Sequence, residues 1–322
     1  MKKTIPIFYA SDANYLPYLE VSLNSLKQNA NKKHLYKIYI LNAGIDNNLQ
    51  EPILSYKEDW FDIIFVNVID KINEVKNNLQ LRDYYTGATY YRIFIADLFP
   101  QYDKAIYLDS DTVVLQDISK LYKYNLKNNF IGAITDKVVS SNDIFIDYCE
   151  QALGINANNY FNAGILLMNL KKFREDNFYD LFKSLLLTYK FKVAQDQDYL
   201  NVICKDQVKY IPYKWNTMPI GGKSKKLPCL IHYNLTLKPW HYGDIPYAEI
   251  FWKYAKSTHN YDFIRKEFGS YVSEKQLVDQ KAEEHLINLA IQEINDKNNY
   301  YNKYVINQTE SETVLNTAKV KH

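Results

Sequence analysis

Two aspartates, Asp109 and Asp111, stand in the string YLDSDTVV at residues 107–114 and have the spacing of a metal site. The apolar run before them, residues 105–108, is typical of a short buried strand, so both carboxylates come at its carboxyl end. Alternate residues of an extended chain point the same way, so the two carboxylates can converge on one hard cation while Ser110 faces elsewhere. Mg²⁺ and Mn²⁺ combine few protein oxygens with phosphate oxygens. The string therefore indicates either a metal that holds a diphosphate or an ordinary aspartate-rich turn.

The segments around this string alternate between strand and helix patterns. Buried-strand patterns occur at 4–10, 35–42, 61–68, 130–135 and 163–170. Helical spacing of apolar residues occurs at 14–29, at 46–56 with Asp46 as its cap, at 89–98, and as one helix over 171–189. This alternation predicts an α/β fold, a mostly parallel sheet wound with helices on both faces.

Three loops follow predicted strands and are rich in aspartate: 10–15, 109–112 and 135–138. In open sheets of this class, ligands bind outside the carboxyl ends of the strands. We therefore expect the three loops to meet at one binding site.

The chain changes character near residue 269. Residues 273–294 carry apolar side chains on one helical face, and the segment after them lacks periodicity. We predict a catalytic domain at 1–268 and a helical appendage with a frayed tail at 269–322.

Charge and composition exclude several function classes. Lys and Arg number 39 against 37 Asp and Glu, a balance that argues against nucleic acid as a partner. No uncharged apolar run reaches the roughly 18 residues of a membrane span. Three widely spaced cysteines suit neither a disulfide framework nor a zinc site, so we expect a reducing, cytoplasmic setting.

The string DSDTV also matches the first motif of haloacid dehalogenase-like phosphatases, in which Asp109 would be the nucleophile. Such phosphatases need a later pair of acidic metal ligands, and neither adjacent aspartates nor a G-D-x-x-x-D string follows here. A nucleotidyltransferase would need an early glycine-rich phosphate loop, which is also missing. Both alternatives are weaker than the next one.

Six collinear motifs resemble those of the retaining glycosyltransferase family 8, which includes bacterial lipopolysaccharide galactosyl- and glucosyltransferases and glycogenin. They are FYASDANYLPYLEVSLNSL, ATYYRIFIADLFP, YLDSDTVV, FNAGILLMNLKKF, QDQDYLN and HYNLTLKPWH. The resemblance covers roughly residues 4–245. It implies a GT-A type fold and transfer of a hexose, galactose or glucose, from a UDP-sugar to a glycan or glycolipid.

By this resemblance, a metal ion is held by Asp109, Asp111 and His232, and the imidazole favours Mn²⁺ over Mg²⁺. UDP binding is implied for Ala10, Asp12, Asn14, Ser110 and Lys238. Many relatives carry a glycine between the matching histidine and lysine, and this chain has none there.

The resemblance also assigns the donor sugar and the reaction. Donor-sugar contacts fall to Arg92, Asp136, Asn162, Ala163, Gly164, Asp196 and Gln197. Gln197 and Asp196 are the candidate catalytic residues. Because Gln197 is an amide and a poor nucleophile, front-face attack by the acceptor is favoured, with a covalent intermediate on Asp196 as the alternative. Bacterial surface-glycan assembly, with peripheral attachment at the inner membrane face, is the expected setting.

Overall fold

The computed structural model of the protein describes residues 2–79, 87–223, 227–271 and 273–306. Nine strands lie in these segments: β1 Lys3–Ala10, β2 His34–Asn42, β3 Phe61–Asn67, β4 Ala105–Leu108, β5 Thr112–Val114, β6 Ile131–Thr135, β7 Phe161–Met168, β8 Val208–Tyr210 and β9 Leu230–His232. Seven of them form one sheet in the order β3-β2-β1-β4-β7-β6-β8. The mostly parallel sheet expected from the sequence is confirmed.

One strand of the large sheet runs against the others. Strand β7 pairs antiparallel with both β4 and β6, whereas the remaining pairs are parallel. The carboxyl ends of β1, β4 and β6 therefore share an edge with the amino end of β7. This edge collects the three aspartate-rich loops and residues 162–164.

A second, two-stranded sheet places a histidine at the same edge. Strands β5 and β9 pair antiparallel with Thr112 opposite His232. The backbone N–H of Tyr233 donates to the Asp111 carbonyl over 2.9 Å. Two segments more than a hundred residues apart in sequence are thereby fixed side by side.

Twelve α-helices occur in the described segments: α1 Leu16–Asn29, α2 Asn47–Leu54, α3 Ile69–Asn73, α4 Ile95–Leu98, α5 Ser119–Tyr122, α6 Asp143–Asp147, α7 Leu170–Glu175, α8 Phe178–Thr188, α9 Asp196–Ile203, α10 Ala248–Ala255, α11 Tyr261–Ser270 and α12 Ser273–Asn295. Within these segments, no helix combines the length and the apolar composition that crossing a bilayer requires.

Three helix predictions need correction. The single helix over 171–189 is wrong, because Asn177 adopts a left-handed conformation (φ 50°) and divides it into α7 and α8. Asp46 precedes α2, but its side chain makes no capping hydrogen bond. Most of the helix predicted at 89–98 is a 3₁₀ helix, Gly87–Phe94, followed by the single turn α4.

The hydrophobic core lies on both faces of the large sheet. Strand β7 is buried along its whole length, and β1 is buried over its central residues. Helix α12 packs back onto this core through Leu286, Leu289 and Ala290. Within the predicted tail after residue 294, Tyr300 packs against the core and Tyr301–Ile306 form a π-helix, whereas the residues after 306 lie outside the described residues.

Candidate active site

A pocket of about 210 Å³ opens at the carboxyl edge of the sheet, and we call it the edge pocket. All three aspartate-rich loops contribute to it, as expected from the sequence. Of the residues predicted for the site, those lining it are Ala10, Asp12, Arg92, Asp109, Ser110, Asp111, Asp136, Asn162, Ala163, Gly164, Asp196, Gln197, His232 and Lys238. Asn14 is the exception, because it lines an adjoining cleft.

Asp109, Asp111 and His232 converge at the floor of the edge pocket. One ligand atom from each lies within 4.8 Å of the others, so the three side chains could hold a metal ion. His232 Nε2 lies 3.2 Å from Asp111 Oδ1 and 3.7 Å from Asp109 Oδ2. Ser110 turns away and donates its hydroxyl to the Ala10 carbonyl over 3.0 Å. The alternation expected along YLDSDT is therefore observed.

Asn216 sets the orientation of the His232 ring, although no sequence motif indicated this residue. Its Nδ2 donates to Asn162 Oδ1 over 2.9 Å, so its Oδ1 is free to accept from His232 Nδ1, 3.1 Å away. A neutral imidazole that donates through Nδ1 presents the Nε2 lone pair to the two carboxylates. Three acceptors would then face one another, an arrangement that a cation stabilises.

Two further observations fit a metal at this position. Asp111 Oδ1 is buried and makes no hydrogen bond within the described part of the chain. Gly164 packs directly beneath the cluster, where a Cβ atom would come within 2.6 Å of Asp109 Oδ2 and closer still to His232 Cε1. The donor set of two carboxylates and one imidazole suits Mn²⁺ or another divalent ion of the first transition row.

Lys238 completes the charge balance of the cluster. Its ammonium group pairs with Asp111 Oδ2 and donates to the Tyr233 carbonyl over 2.6 Å. Burial alone would raise the pKa of Asp111, but the ammonium charge of Lys238, together with the neighbouring His232 ring, outweighs burial and holds that pKa below its ordinary value. Asp111 is therefore ionised and available as a ligand at neutral pH.

Arg92 is buried and joins the two acidic halves of the site. Its Nη1 lies 3.3 Å from Asp109 Oδ1, and its Nε lies 2.8 Å from Asp196 Oδ2. Thr89 donates its hydroxyl to Asp196 and accepts from Arg92 Nη2. Burial raises the pKa of Asp196 to about 6, against the opposing charge of Arg92. An arginine that sequence patterns alone would place on a solvated face is a structural bridge here.

A network of amides and one carboxylate forms the far wall of the pocket. Asp136 Oδ2 accepts from Asn162 Nδ2 over 3.0 Å and from Gln197 Nε2 over 3.2 Å. Gln197 Oε1 accepts from the backbone N–H of Ala163 over 2.9 Å. Asn162 Oδ1 also accepts from the Gly164 N–H and from Asn216 Nδ2, and Gln197 Nε2 also donates to the Tyr160 hydroxyl, so the network holds both amides in fixed orientations at the pocket wall.

The loop between His232 and Lys238 has one residue in the left-handed backbone conformation, which glycine adopts without strain. Leu235 adopts φ 54°, a conformation that costs a residue with a side chain about 1–2 kcal/mol. The segment thus has a backbone conformation that favours glycine although its sequence contains none. The absence of glycine from this loop is visible in the sequence, but the left-handed conformation of Leu235 is not.

At position 235, glycine should give a more stable protein than alanine, which reverses the usual order of stability for these two residues. Both Leu235→Ala and Leu235→Gly remove the side chain, but only glycine relieves the left-handed strain. We expect the glycine variant to be more stable than the alanine variant by about 1 kcal/mol. Urea unfolding of the two variants measures this difference, and an alanine variant of equal or greater stability would contradict it.

Asp198 anchors the segment that carries Asp196 and Gln197, a role that the sequence did not indicate. Its carboxylate is fully buried and accepts from the hydroxyls of Tyr148 and Tyr160 and from the backbone N–H of Ala194. Burial raises its pKa to about 6 in spite of these hydrogen bonds. The quoted motif QDQDYLN contained this residue, but no sequence feature separated an anchoring aspartate from a ligand-binding one.

The raised pKa of Asp198 predicts a pH dependence of stability. Because the folded pKa exceeds the unfolded value of about 3.9, the native state takes up the proton first as the pH falls. The wild type should therefore gain roughly 2 kcal/mol relative to Asp198→Asn between pH 7.5 and pH 4.5. Urea unfolding of both proteins at the two pH values tests this, and a constant difference would show that the pKa is not raised.

Comparison with known proteins agrees with the fold and identifies a family. The sequence model of glycosyl transferase family 8 matches residues 6–244. A Haemophilus influenzae protein provisionally named as a glycosyltransferase is 32% identical over 253 residues, which are 74% of each chain. The lipopolysaccharide 1,2-glucosyltransferase of Escherichia coli is 28% identical over 76% of each chain. The solved structure of galactosyltransferase LgtC with donor and acceptor sugar analogs superimposes with a TM-score of 0.67 at 27% identity, covering 79% of this chain and 96% of that one.

The fold is of the GT-A type, as predicted. The chain belongs to glycosyltransferase family 8, and it is a glycosyltransferase. The family match leaves the phosphatase alternative without support.

Proposed function

We propose that the protein transfers galactose or glucose from a UDP-sugar to a hydroxyl of a glycan or glycolipid, with retention of configuration, in bacterial surface-glycan assembly. The cluster of Asp109, Asp111 and His232 beside Lys238 carries this proposal. Its chemistry suits a diphosphate bound through a divalent ion. Relatives named as lipopolysaccharide glucosyl- and galactosyltransferases support the substrate class.

The three-residue cluster would hold Mn²⁺, with Mg²⁺ as the alternative. A divalent cation there would stabilise the negative charge that develops on UDP as the sugar–phosphate bond breaks. Lys238 supports the same charge, because its buried ammonium group is already directed at Asp111. Ala10, Asp12, Ser110 and Asn14 would hold the uridine and ribose.

The far wall of the edge pocket would bind the hexose. Asp136, Asn162 and Gln197 are hydrogen-bonded to one another at this wall, and vicinal sugar hydroxyls would replace or share part of these hydrogen bonds. Asp196 would accept from another hydroxyl, and Arg92 keeps it in place. Ala163 and Gly164 bring the backbone close to the sugar.

Retention is best explained by front-face attack. Gln197 is an amide and cannot serve as an effective nucleophile. The Asp196 carboxylate is paired with Arg92 and accepts from Thr89, and both interactions reduce its strength as a nucleophile. In front-face attack, the acceptor hydroxyl enters beside the departing phosphate, forms the new bond to the anomeric carbon, and gives its proton to a phosphate oxygen. Double displacement through Asp196 is the alternative.

The division of the chain is part of the same proposal. Residues 1–268 would form the catalytic domain, and 269–322 would form a helical appendage. Peripheral attachment to the inner membrane face would involve the tail beyond residue 306, which lies outside the described residues.

The direct test is release of UDP from a panel of UDP-sugars with and without Mn²⁺. Slow metal-dependent hydrolysis of UDP-galactose or UDP-glucose is the expected result, and it would identify the donor sugar. A protein that binds UDP but hydrolyses none of the panel would contradict the proposal.

A further inference from the structure

Helix α12 contributes one side chain to the edge pocket. Among the described residues that line this pocket, only Leu286 lies outside the span 6–244 that the family model matches. Its side chain is partly buried and packs against the apolar core that contains Phe145 and Tyr148. The family match therefore accounts for most of the pocket wall and leaves the contribution of α12 unexplained.

The middle of α12 is attached to the loop between His232 and Lys238. Thr236, in that loop, donates its hydroxyl to Glu283 on α12. Leu286 lies about one helical turn after Glu283, so the two side chains are on the same face of the helix. The helix is thus joined to the loop that ends in the candidate diphosphate ligand.

The carboxyl end of α12 is attached to the segment that leads into Asp196. Glu293 is buried, and its carboxylate accepts from the Tyr189 hydroxyl over 2.8 Å. The same carboxylate pairs with the Lys192 ammonium group over 2.6 Å. Because the contacts of α12 with this segment and with the loop flank Leu286, they hold its side chain at the pocket wall.

A third attachment lies just beyond α12. Asn299 is fully buried, and its Nδ2 donates to the Gln151 carbonyl over 3.1 Å. Gln151 belongs to the π-helix Tyr148–Leu153, whose first residue lines the edge pocket. Polar contacts therefore fix the position of α12 against three separate parts of the pocket wall.

One part of the pocket lining is apolar. Val138, Val139, Phe145 and Val193 line the pocket together with Leu286. Helix α12 packs against α6, which carries Phe145. These five side chains offer no hydrogen-bonding group, in contrast to the far wall. An amide placed against them would lose its hydrogen bonds to water and gain none from these side chains.

We propose that Leu286 is a specificity residue for the donor, and that its side chain excludes sugars larger than an unsubstituted hexose, above all N-acetylhexosamines. An acetamido group is bulkier than the hydroxyl that it replaces, and its N–H and C=O need partners that the apolar side chains do not supply. This inference rests on the proposed transferase function. It gives α12 a part in choosing the donor.

The test compares kcat/KM for hydrolysis of UDP-glucose, UDP-galactose, UDP-N-acetylglucosamine and UDP-N-acetylgalactosamine with Mn²⁺ present. The wild type should favour an unsubstituted hexose over its N-acetyl counterpart by at least about tenfold. Leu286→Ala removes the branched end of the side chain and should raise the ratio of N-acetylhexosamine to hexose hydrolysis by about tenfold. Leu286→Phe narrows the pocket further and should lower hexose hydrolysis by about fivefold or more.

Leu289→Ala is the matched control. Leu289 is about one helical turn further along α12 and packs against the same core, but it does not line the edge pocket. Its substitution should leave the ratio of the two hydrolysis rates within about twofold of the wild-type ratio. A variant that is merely destabilised lowers both rates together, so the ratio separates a role in specificity from a structural one.

Calorimetric titration of the same UDP-sugars with Mg²⁺ present gives the ratio from Kd values if Leu286→Ala is too slow to assay. An unchanged ratio in Leu286→Ala, or undiminished hexose hydrolysis in Leu286→Phe, would overturn the inference. Equal hydrolysis of a hexose and its N-acetyl counterpart by the wild type would also overturn it and leave the proposed function intact. A wild type that hydrolyses no hexose donor would instead refute the proposed function, and the inference with it.

Discussion

Asp111→Ala is expected to lower the rate of UDP release from the donor by at least about 1,000-fold, a loss of roughly 4 kcal/mol of transition-state stabilisation. Asp111 has three roles in one buried position. It supplies a candidate metal ligand, faces His232 Nε2, and pairs with the Lys238 ammonium group. Its removal would weaken metal binding and leave Lys238 without its acidic partner.

The control for this variant is Asp103→Ala, because the Asp103 side chain is 80% exposed and far from the edge pocket in the fold. Mn²⁺ binding, followed by electron paramagnetic resonance, should weaken in Asp111→Ala and stay unchanged in the control. Metal-dependent turnover at the wild-type rate in Asp111→Ala would mean that the aspartate pair forms only a structural turn and does not bind the metal.

Six of the nine strands in the described segments were predicted from sequence because each is a short apolar run bounded by polar residues, whereas β5, β8 and β9 are only three residues long and were not predicted. Residues 4–10, 35–42 and 61–68 all correspond to observed strands. Local pattern could not show the direction of β7, since a fully buried strand has the same composition in either direction. The break at Asn177 was hidden for a related reason, because apolar spacing continues on both sides of it.

The candidate site was predictable where a motif carried it and unpredictable where contacts between distant segments did. From the residues alone, the spacing of Asp109 and Asp111 indicated either a metal site or an aspartate-rich turn, and the family resemblance favoured the metal site and added His232. Asn216 orients His232 from a loop that bears no recognisable motif. Its role depends on a hydrogen bond that forms only after the neighbouring Thr217 has paired with β9.

Gly164→Ala should lower the rate of UDP release by about 100-fold or more and weaken Mn²⁺ binding, although it adds a single methyl group. The added Cβ would overlap Asp109 Oδ2 and the His232 ring, so both ligands would have to move. Displacement of about 1 Å at a reacting centre is enough for losses of this size. Overpacking should also destabilise the protein by about 1–3 kcal/mol.

Gly269→Ala separates this steric effect from the general effect of replacing a glycine. Gly269 lies in α11, and a Cβ there would meet no atom within 4 Å. Alanine in a helix is favoured over glycine by about 0.5–1 kcal/mol, so this control should be slightly stabilised and fully active. Backbone strain is not the reason for glycine at position 164, since its φ is not in the left-handed region. Unchanged Mn²⁺ affinity in Gly164→Ala would therefore mean that Asp109 and His232 do not bind the metal together.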